Sequence, residues 1–401
     1  MRWHVSWAAA AVALLAASCA QENTAGDQAA LAAMALEPAA LPPSPTNLYA
    51  DDEAALALGR RLFFDQRMSA DGRVACASCH DPSHDFSDPR PVSLGAFGRA
   101  GARHSLPITA AALHPFLFWD GRVDSLWSQP LKAIEGQKEM DFSRVEVAHF
   151  IDGNYRADYE AVFGPMPDLS GLPARAHPGE PAWENLPAAS RDGVQRVFAN
   201  VGKSLEAYER KLTCEGTRFD RWTRGEITLT DTEQSGADSF VQNGCIRCHS
   251  GPSFSDGKFH DLGIGGGGAT DLGRAAGRPL LLADPFNGAG VYSDDPAAGQ
   301  RLLSIAASEA GGARAFRTAS LRGVGQRQRF GHLGDHDDLR QFITQVYRNG
   351  GRGGGRGGNN NGGNARLDPL LDGVDTDNVD EMIAFLRTLD CPVPSPELLA
   401  P

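Results

Sequence analysis

Two short runs set two thiols and an imidazole at fixed offsets: Cys76-Ala77-Ser78-Cys79-His80 and Cys245-Ile246-Arg247-Cys248-His249. Each reads C-x-x-C-H, in which two cysteines can form thioethers to a haem and the adjacent histidine can bind its iron. One turn between the cysteines lets both reach the vinyl edge of a porphyrin, and the next residue brings its imidazole under the iron. Paired cysteines at this spacing also suit a zinc site or a redox dithiol. A histidine directly after both pairs favours haem. The spacing implies two covalently bound c-type haems, held by Cys76, Cys79, His80, Cys245, Cys248 and His249.

The rest of the composition sets the surroundings of that chemistry. The net charge of -12 argues against nucleic acid and leaves an anionic surface suited to a basic redox partner. Residues 1–18 read as a secretory signal, with Arg2 ahead of an apolar run from Trp7 to Ala17 that is too short for a stable membrane span. Ala16-Ala17-Ser18-Cys19 is an acceptable lipoprotein cleavage box: a lipid on Cys19 would tether a periplasmic protein to a membrane, and plain cleavage would release it. Of the 7 cysteines, four go to haem and one to this box, leaving Cys214 and Cys391. An oxidising compartment would let that pair form a disulfide; two unconnected thiols is the alternative.

The elements that must position the two sites are helical, so the fold class expected is mainly α. Residues 20–48 are Ala-, Pro- and Gln-rich without periodicity and read as a tether over 19–48. Asp51 or Asp52 can cap a helix whose apolar face is Leu56, Leu58, Leu62, Phe63 and Phe64, leading into the first site. Asp124 or Ser125 can cap a short helix carrying Leu126, Gln129, Leu131 and Ile134. Gly164 to Ala188 is Pro-rich and unpatterned, a linker over 164–188 between an N-terminal domain (49–163) and a C-terminal one (189–395). Ser190 starts a helix with Val194, Val197, Phe198, Val201, Leu205, Tyr208 and Leu212 on one stripe, and Thr230-Asp231-Thr232-Glu233 is a capping box before the second site. Gly350 to Gly363 reads as a surface loop.

Several ordered blocks carry a family resemblance. They are Leu58-Gly59-Arg60-Arg61-Leu62-Phe63-Phe64-Asp65, Phe118-Trp119-Asp120-Gly121-Arg122, Gln129, Glu139-Met140 and Phe219-Asp220-Arg221-Trp222. His249 through His260, Phe316-Arg317-Thr318-Ala319-Ser320-Leu321-Arg322 and His332-Leu333-Gly334 complete the set. With both C-x-x-C-H runs, the chain resembles the bacterial di-haem cytochrome c peroxidases, which include MauG, over nearly its whole mature length. The resemblance implies two cytochrome c-like haem domains, the N-terminal haem reacting with hydrogen peroxide and the second relaying electrons. It makes Glu139 the distal acid/base, Gln129 an orienting amide and Trp119 a bridge between the haems; their plain alternatives are a loop carboxylate, a helix amide and a buried structural tryptophan.

The same resemblance bears on the iron ligands opposite His80 and His249. Ala96 stands where reductively activated members carry a removable histidine, so the first haem is expected to be five-coordinate, with His84 or His104 as the residues that could close it. Where most members place a methionine at the second haem, this chain has Tyr347, on the inward stripe of Leu339, Phe342, Ile343 and Val346; a core tyrosine is the alternative, and Met382 is the only Met after His249. His260 and His332 are expected around the haems rather than as ligands. A calcium ion between the domains and a homodimer are also implied, although His104 and Ala319 depart from the common residues near that calcium. The activity expected is reduction of peroxide with electrons from a small exported redox protein, a cytochrome c or cupredoxin. MauG-like oxidation of Trp or Tyr in a partner protein, and a non-catalytic di-haem electron carrier, are the alternatives.

Overall fold

The computed structural model describes residues 26–37, 41–264, 271–309, 312–350 and 368–401, without the side chains of 348–350. The apolar segment 1–18, Cys19 and most of the glycine-rich run from 350 to 363 lie outside the described residues. No helix among the described residues is long and apolar enough to cross a membrane.

The first core is built on α1 (Glu53–Phe64), α2 (Gln129–Glu135), α3 (Arg144–Phe163) and α4 (Ala188–Glu209). Asp52 caps α1 by accepting from Ala55 N at 2.8 Å, while Asp51 pairs with Arg210 instead. α1 and α4 cross so closely that a Cβ at Gly59 would lie 1.9 Å from the Ser204 carbonyl oxygen, which is why a helix interior tolerates glycine there. Ser143 and Glu146 form a reciprocal capping box on α3. α2 begins after Ser128 without a side-chain cap, and Asp124 accepts from Gly288 N at 2.9 Å rather than capping it.

Three sequence expectations change here. α4 starts at Ala188, behind Pro187, so Ser190 falls inside it. Its apolar stripe joins Leu58, Leu62 and Phe63 in the first core, with the Phe63 and Tyr208 rings 5.0 Å apart, so the helix expected to open the second domain is part of the first lobe. The Pro-rich stretch expected as a linker also lies on that core: Ala176 and Trp183 are buried in it, with Leu169, Leu172 and Leu186 against it. Helical periodicity says that a face is buried and not against what, so boundaries drawn from prolines moved once the stripe found its partner.

The second core comprises α5 (Arg218–Thr223), α6 (Asp231–Gln242), α9 (Leu339–Gly350) and α10 (Val379–Arg387). The Thr230–Glu233 capping box opens α6 as expected, and α6 packs on α10 through Phe240 and Phe385, whose rings are 5.3 Å apart. Part of the expected tether belongs to this core as well. Leu31 and Met34 are buried in it beside a short helical turn at 26–32, and Leu36 N donates to Asp220 Oδ1 at 3.0 Å. Outside the two cores the chain forms a two-residue ribbon, β1 (Phe259–His260) antiparallel to β2 (Phe316–Arg317), and a helical pair, α7 (Arg274–Ala283) and α8 (Pro296–Ser308). A Cys214–Cys391 disulfide, with Cα atoms 4.8 Å apart, ties the segment after α4 to the tail after α10. Beside it Arg322 and Asp220 form an ion pair at 3.0 Å with both side chains fully buried.

Candidate functional site: two cysteine–histidine cavities and the seam between them

Each C-x-x-C-H run is a tight turn. In the first, Cys79 N and His80 N both donate to Cys76 O, at 3.1 and 2.9 Å; in the second, Cys248 N and His249 N donate to Cys245 O, at 3.3 and 3.0 Å. All four cysteines are free thiols, and each pair lines one cavity together with its histidine. The first cavity is about 730 Å³ and the second about 150 Å³.

The two imidazoles are held the same way. His80 Nδ1 lies 3.2 Å from Phe86 O and His249 Nδ1 lies 3.0 Å from Phe254 O. A backbone carbonyl at Nδ1 selects the tautomer that leaves Nε2 with its lone pair, the arrangement expected of a metal-binding histidine. Both acceptor residues sit at positive φ, 52° for Phe86 and 50° for Phe254, a conformation costly for a bulky residue. Their buried rings anchor the strained loops in the cores. The sequence reading missed these two phenylalanines as orienting residues; the signal available was a phenylalanine five or six residues after each histidine. Burial pushes the His80 imidazole down to about 4 and lowers that of His249, keeping both neutral and able to ligate.

This donor set fits haem better than zinc or a dithiol. The cysteines do not form disulfides, and no group of three or more His, Cys, Asp or Glu among the described residues converges to hold a metal ion. His104 Nδ1 faces Pro91 O at 3.1 Å, and its backbone N–H donates to His332 O at 2.9 Å. Two thiols and a neutral imidazole on one wall of a cavity are what a c-type haem requires.

Glu139, Gln129 and Trp119 line the first cavity together with His80. Gln129 is the first residue of α2, and Glu139 lies in the loop after it. Burial holds the Glu139 carboxyl above the ordinary carboxylate range against the pull of Arg122. The Ala96 loop is clamped beneath it: Ala96 N donates to Glu139 O at 2.6 Å, and a Cβ at Gly95 would lie 2.3 Å from that oxygen. Ala96 is fully buried, and His84 turns away toward Asp81 Oδ2 at 3.1 Å and does not line the cavity. Glu209, which the sequence reading missed, also lines this cavity; burial and Glu206 push its carboxyl up to about 8. Nothing in the spacing around α4 marks it as more than one residue of a helix.

Trp119 lines both cavities, as do His104 and Arg317. It is 8 % exposed and donates from Nε1 to His104 O at 2.8 Å, so the indole is fixed at the seam. In the second cavity Tyr347 and Met382 both join Cys245, Cys248 and His249. Burial raises the Tyr347 phenol above its ordinary value, with the Cys245 and Cys248 thiols adding to the effect. Met382, 2 % exposed, also receives an Asn243 Nδ2 contact at 3.8 Å. His260 sits between Asp256 at 2.9 Å and Asp368 at 2.6 Å; against the lowering effect of burial, Asp256, the Cys248 thiol and Asp368 push its imidazole up to about 11, the opposite of His249. His332 stacks on Phe316 with ring centroids 3.9 Å apart.

Residues 53–228 match the family model for di-haem cytochrome c peroxidases of the MauG type. MauG of Methylorubrum extorquens is 31% identical over 269 residues, covering 66% of this chain and 67% of that protein. The cytochrome-c peroxidase IdrP1 of a Pseudomonas species is 31% identical over 260 residues, 63% of this chain and 61% of that protein. MauG of Methylophilus methylotrophus is 31% identical over 229 residues, 55% of this chain and 59% of that protein, so the chain spans about three fifths of these last two relatives. In fold, a MauG-like protein associated with microbial copper homeostasis covers 91% of this chain and 99% of its own at 24% identity and a TM-score of 0.64. The diheme peroxidase BthA from Burkholderia thailandensis covers 90% of each chain at 20% identity and a TM-score of 0.63. Two cysteine–histidine cavities joined at one tryptophan, on a chain with these relatives, belong to the di-haem cytochrome c peroxidase family that includes MauG.

Proposed function

We propose that this chain is an exported di-haem peroxidase that reduces hydrogen peroxide to water. Cys76 and Cys79 would hold one haem by thioethers with His80 beneath its iron, and Cys245, Cys248 and His249 would hold the other. The haems supply the redox chemistry when bound; the chain's own side chains bind and orient peroxide, move its protons and carry electrons between the sites. Each turnover takes one peroxide, two electrons and two protons to two waters. The observation that carries the reading is the meeting of Glu139 and Gln129 with the His80 wall in one cavity, while Trp119 borders that cavity and the next. Glu139 would take a proton from one peroxide oxygen and return it to the other, with the Gln129 amide holding the oxygens in place. Trp119, fixed by its bond to His104 O, gives electrons a short path from the second site.

Two features favour MauG-like oxidation of Trp or Tyr in a partner protein as a second reading. Ala96 offers no side chain to close the first site, and Tyr347 faces the second, where an anionic phenolate would favour oxidised iron. The test mixes oxidised holo-protein, peroxide and a reduced small cytochrome c or cupredoxin. Two donor molecules oxidised per peroxide consumed is the result expected. An exchange of electrons with the donor that peroxide does not drive would make the chain a carrier. Peroxide consumed without donor oxidation, with new cross-links or hydroxylation in a partner protein, would select the second reading.

A further inference from the structure

The proposed turnover consumes two protons, and Glu139 returns the one it takes, so another group must bring protons into the first cavity. α4 sets one in its wall. Glu209 is 3 % exposed, lines the cavity with Cys76 and His80, and keeps one carboxyl oxygen, Oε2, sealed from solvent without a partner. Glu206, 2 % exposed, lies three residues earlier on the same helix face. Neither carboxyl has an ion-pair partner among the described residues, because the cations nearest in sequence pair elsewhere: Lys203 with Asp294 at 2.6 Å and Arg210 with Asp51 at 3.2 Å.

Two buried carboxyls one turn apart do not both ionise, because each unpaired charge is costly to bury and like charges add to the cost. The pair therefore holds at least one proton. Burial and Glu206 push Glu209 up to about 8, and burial raises Glu206 against the hydrogen bonds from Ser44 and Asn47. The two carboxyls face different surroundings. Glu206 Oε2 accepts from Asn47 Nδ2 at 3.0 Å, and its other neighbour, Ser44, is half-buried between the exposed Pro43 and Pro45. Glu209 borders the cavity. The pair thus runs from the surface segment 43–47 to the wall that carries His80.

We propose that Glu206 and Glu209 form a proton-loading pair that feeds the first cavity from the surface at residues 43–47. The pair rests on the di-haem peroxidase reading. In each delivery the Glu209 O–H bond breaks and its proton passes, directly or through water, to an oxygen derived from peroxide. Glu206 then reloads the Glu209 carboxylate, and solvent reloads Glu206. Two deliveries, with two electrons from the donor protein, complete one turnover. An electron arriving at the haem of this cavity favours the neutral Glu209 and an electron leaving favours release, so proton and electron move together. Tyr208 and Arg210 flank Glu209 on α4, Arg60 is a charged neighbour of Tyr208 on α1, and Glu139, His104 and His114 stand elsewhere in the cavity wall. A change at Glu209 alone separates its proton from theirs.

The test uses holo-protein, parent and Glu209→Gln, with haem counted by the pyridine haemochrome method and the first haem's midpoint potential followed across pH by spectroelectrochemistry. In the parent, reduction takes up a proton where Glu209 is otherwise ionised. That haem should therefore become harder to reduce as pH rises through about 8, by about tenfold per pH unit, or 59 mV for a one-electron couple. Glu209→Gln should stay within about twofold over the same range and meet the parent on its acid side. Its peroxide turnover at saturating donor should fall about tenfold or more. A parent without that slope, the same slope in the variant, or parent-like turnover in the variant would each overturn the pair. Should Glu209→Gln not fold, Glu206→Gln decides: it keeps an oxygen for Asn47 and removes the like charge, so the slope should move to lower pH by about threefold or more in proton affinity. An unmoved slope would overturn the proposal. Failure of the parent to hold two haems would instead overturn the di-haem reading.

Discussion

Glu139→Gln is nearly isosteric and removes one capability, the gain and return of a proton. The structure sets the size of the effect. The carboxyl forms no hydrogen bond or ion pair among the described residues, and Arg122 attracts it only at a distance, so nothing else holds it and its proton is free for chemistry. A lost general acid/base costs roughly 10²-fold or more, equivalent to about 2.7 kcal/mol of barrier. Folding should not suffer, because the amide escapes the desolvation that raises the carboxyl. The sign of the pH dependence follows from that raised pKa. At the pH where an ordinary glutamate is already ionised Glu139 is still neutral, so peroxide turnover in the parent should rise with pH through a value above 4.5, as the base form appears. The variant should lose that limb. The assay is steady-state peroxide consumption with a reduced donor across pH, on protein matched for haem content. Parent-like turnover, or the same acid limb in the variant, would refute the role given to Glu139.

Tyr347→Phe should change the electronic spectrum of one haem and leave the other untouched; if neither responds, the tyrosine is a core residue and Met382 becomes the residue to test in the same cavity. Arg322→Met leaves Asp220 buried and unpaired, and should cost about 3–5 kcal/mol in chemical denaturation, whereas replacing both partners with apolar residues should recover much of that loss. Paired Cys214→Ser and Cys391→Ser changes release a link spanning 177 residues, and should lower stability by ~2–4 kcal/mol under oxidising conditions with little effect once the parent is reduced. Stability of the parent unchanged by a reductant would count against the disulfide.

How much of this was legible beforehand differs from element to element. The apolar stripe of α4 and the capping box of α6 are local, set by residues three or four apart, so the pattern of the chain located them. What each stripe packs against depends on contacts tens or hundreds of residues away. That is why α4 moved to the first lobe and why Leu31 and Met34, in a stretch without obvious pattern, proved to be buried in the second. The strained Phe86 and Phe254 carbonyls were invisible for a related reason: a positive φ at a non-glycine residue is imposed by surrounding packing and leaves no mark in composition.

By itself the sequence determined the chemistry on offer, because thioether formation and iron ligation need cysteine, cysteine and histidine at short fixed spacing, and such spacing survives in one dimension. Only the tertiary structure decided how those parts meet. It set Glu139 and Gln129 in the wall of the His80 cavity, fixed Trp119 between two cavities and turned both Tyr347 and Met382 toward the second. It also buried the Arg317 guanidinium with one nitrogen sealed from solvent and unpartnered. Distances between residues far apart in the chain, and the cost of sealing charge away from water, exist only once the chain has folded.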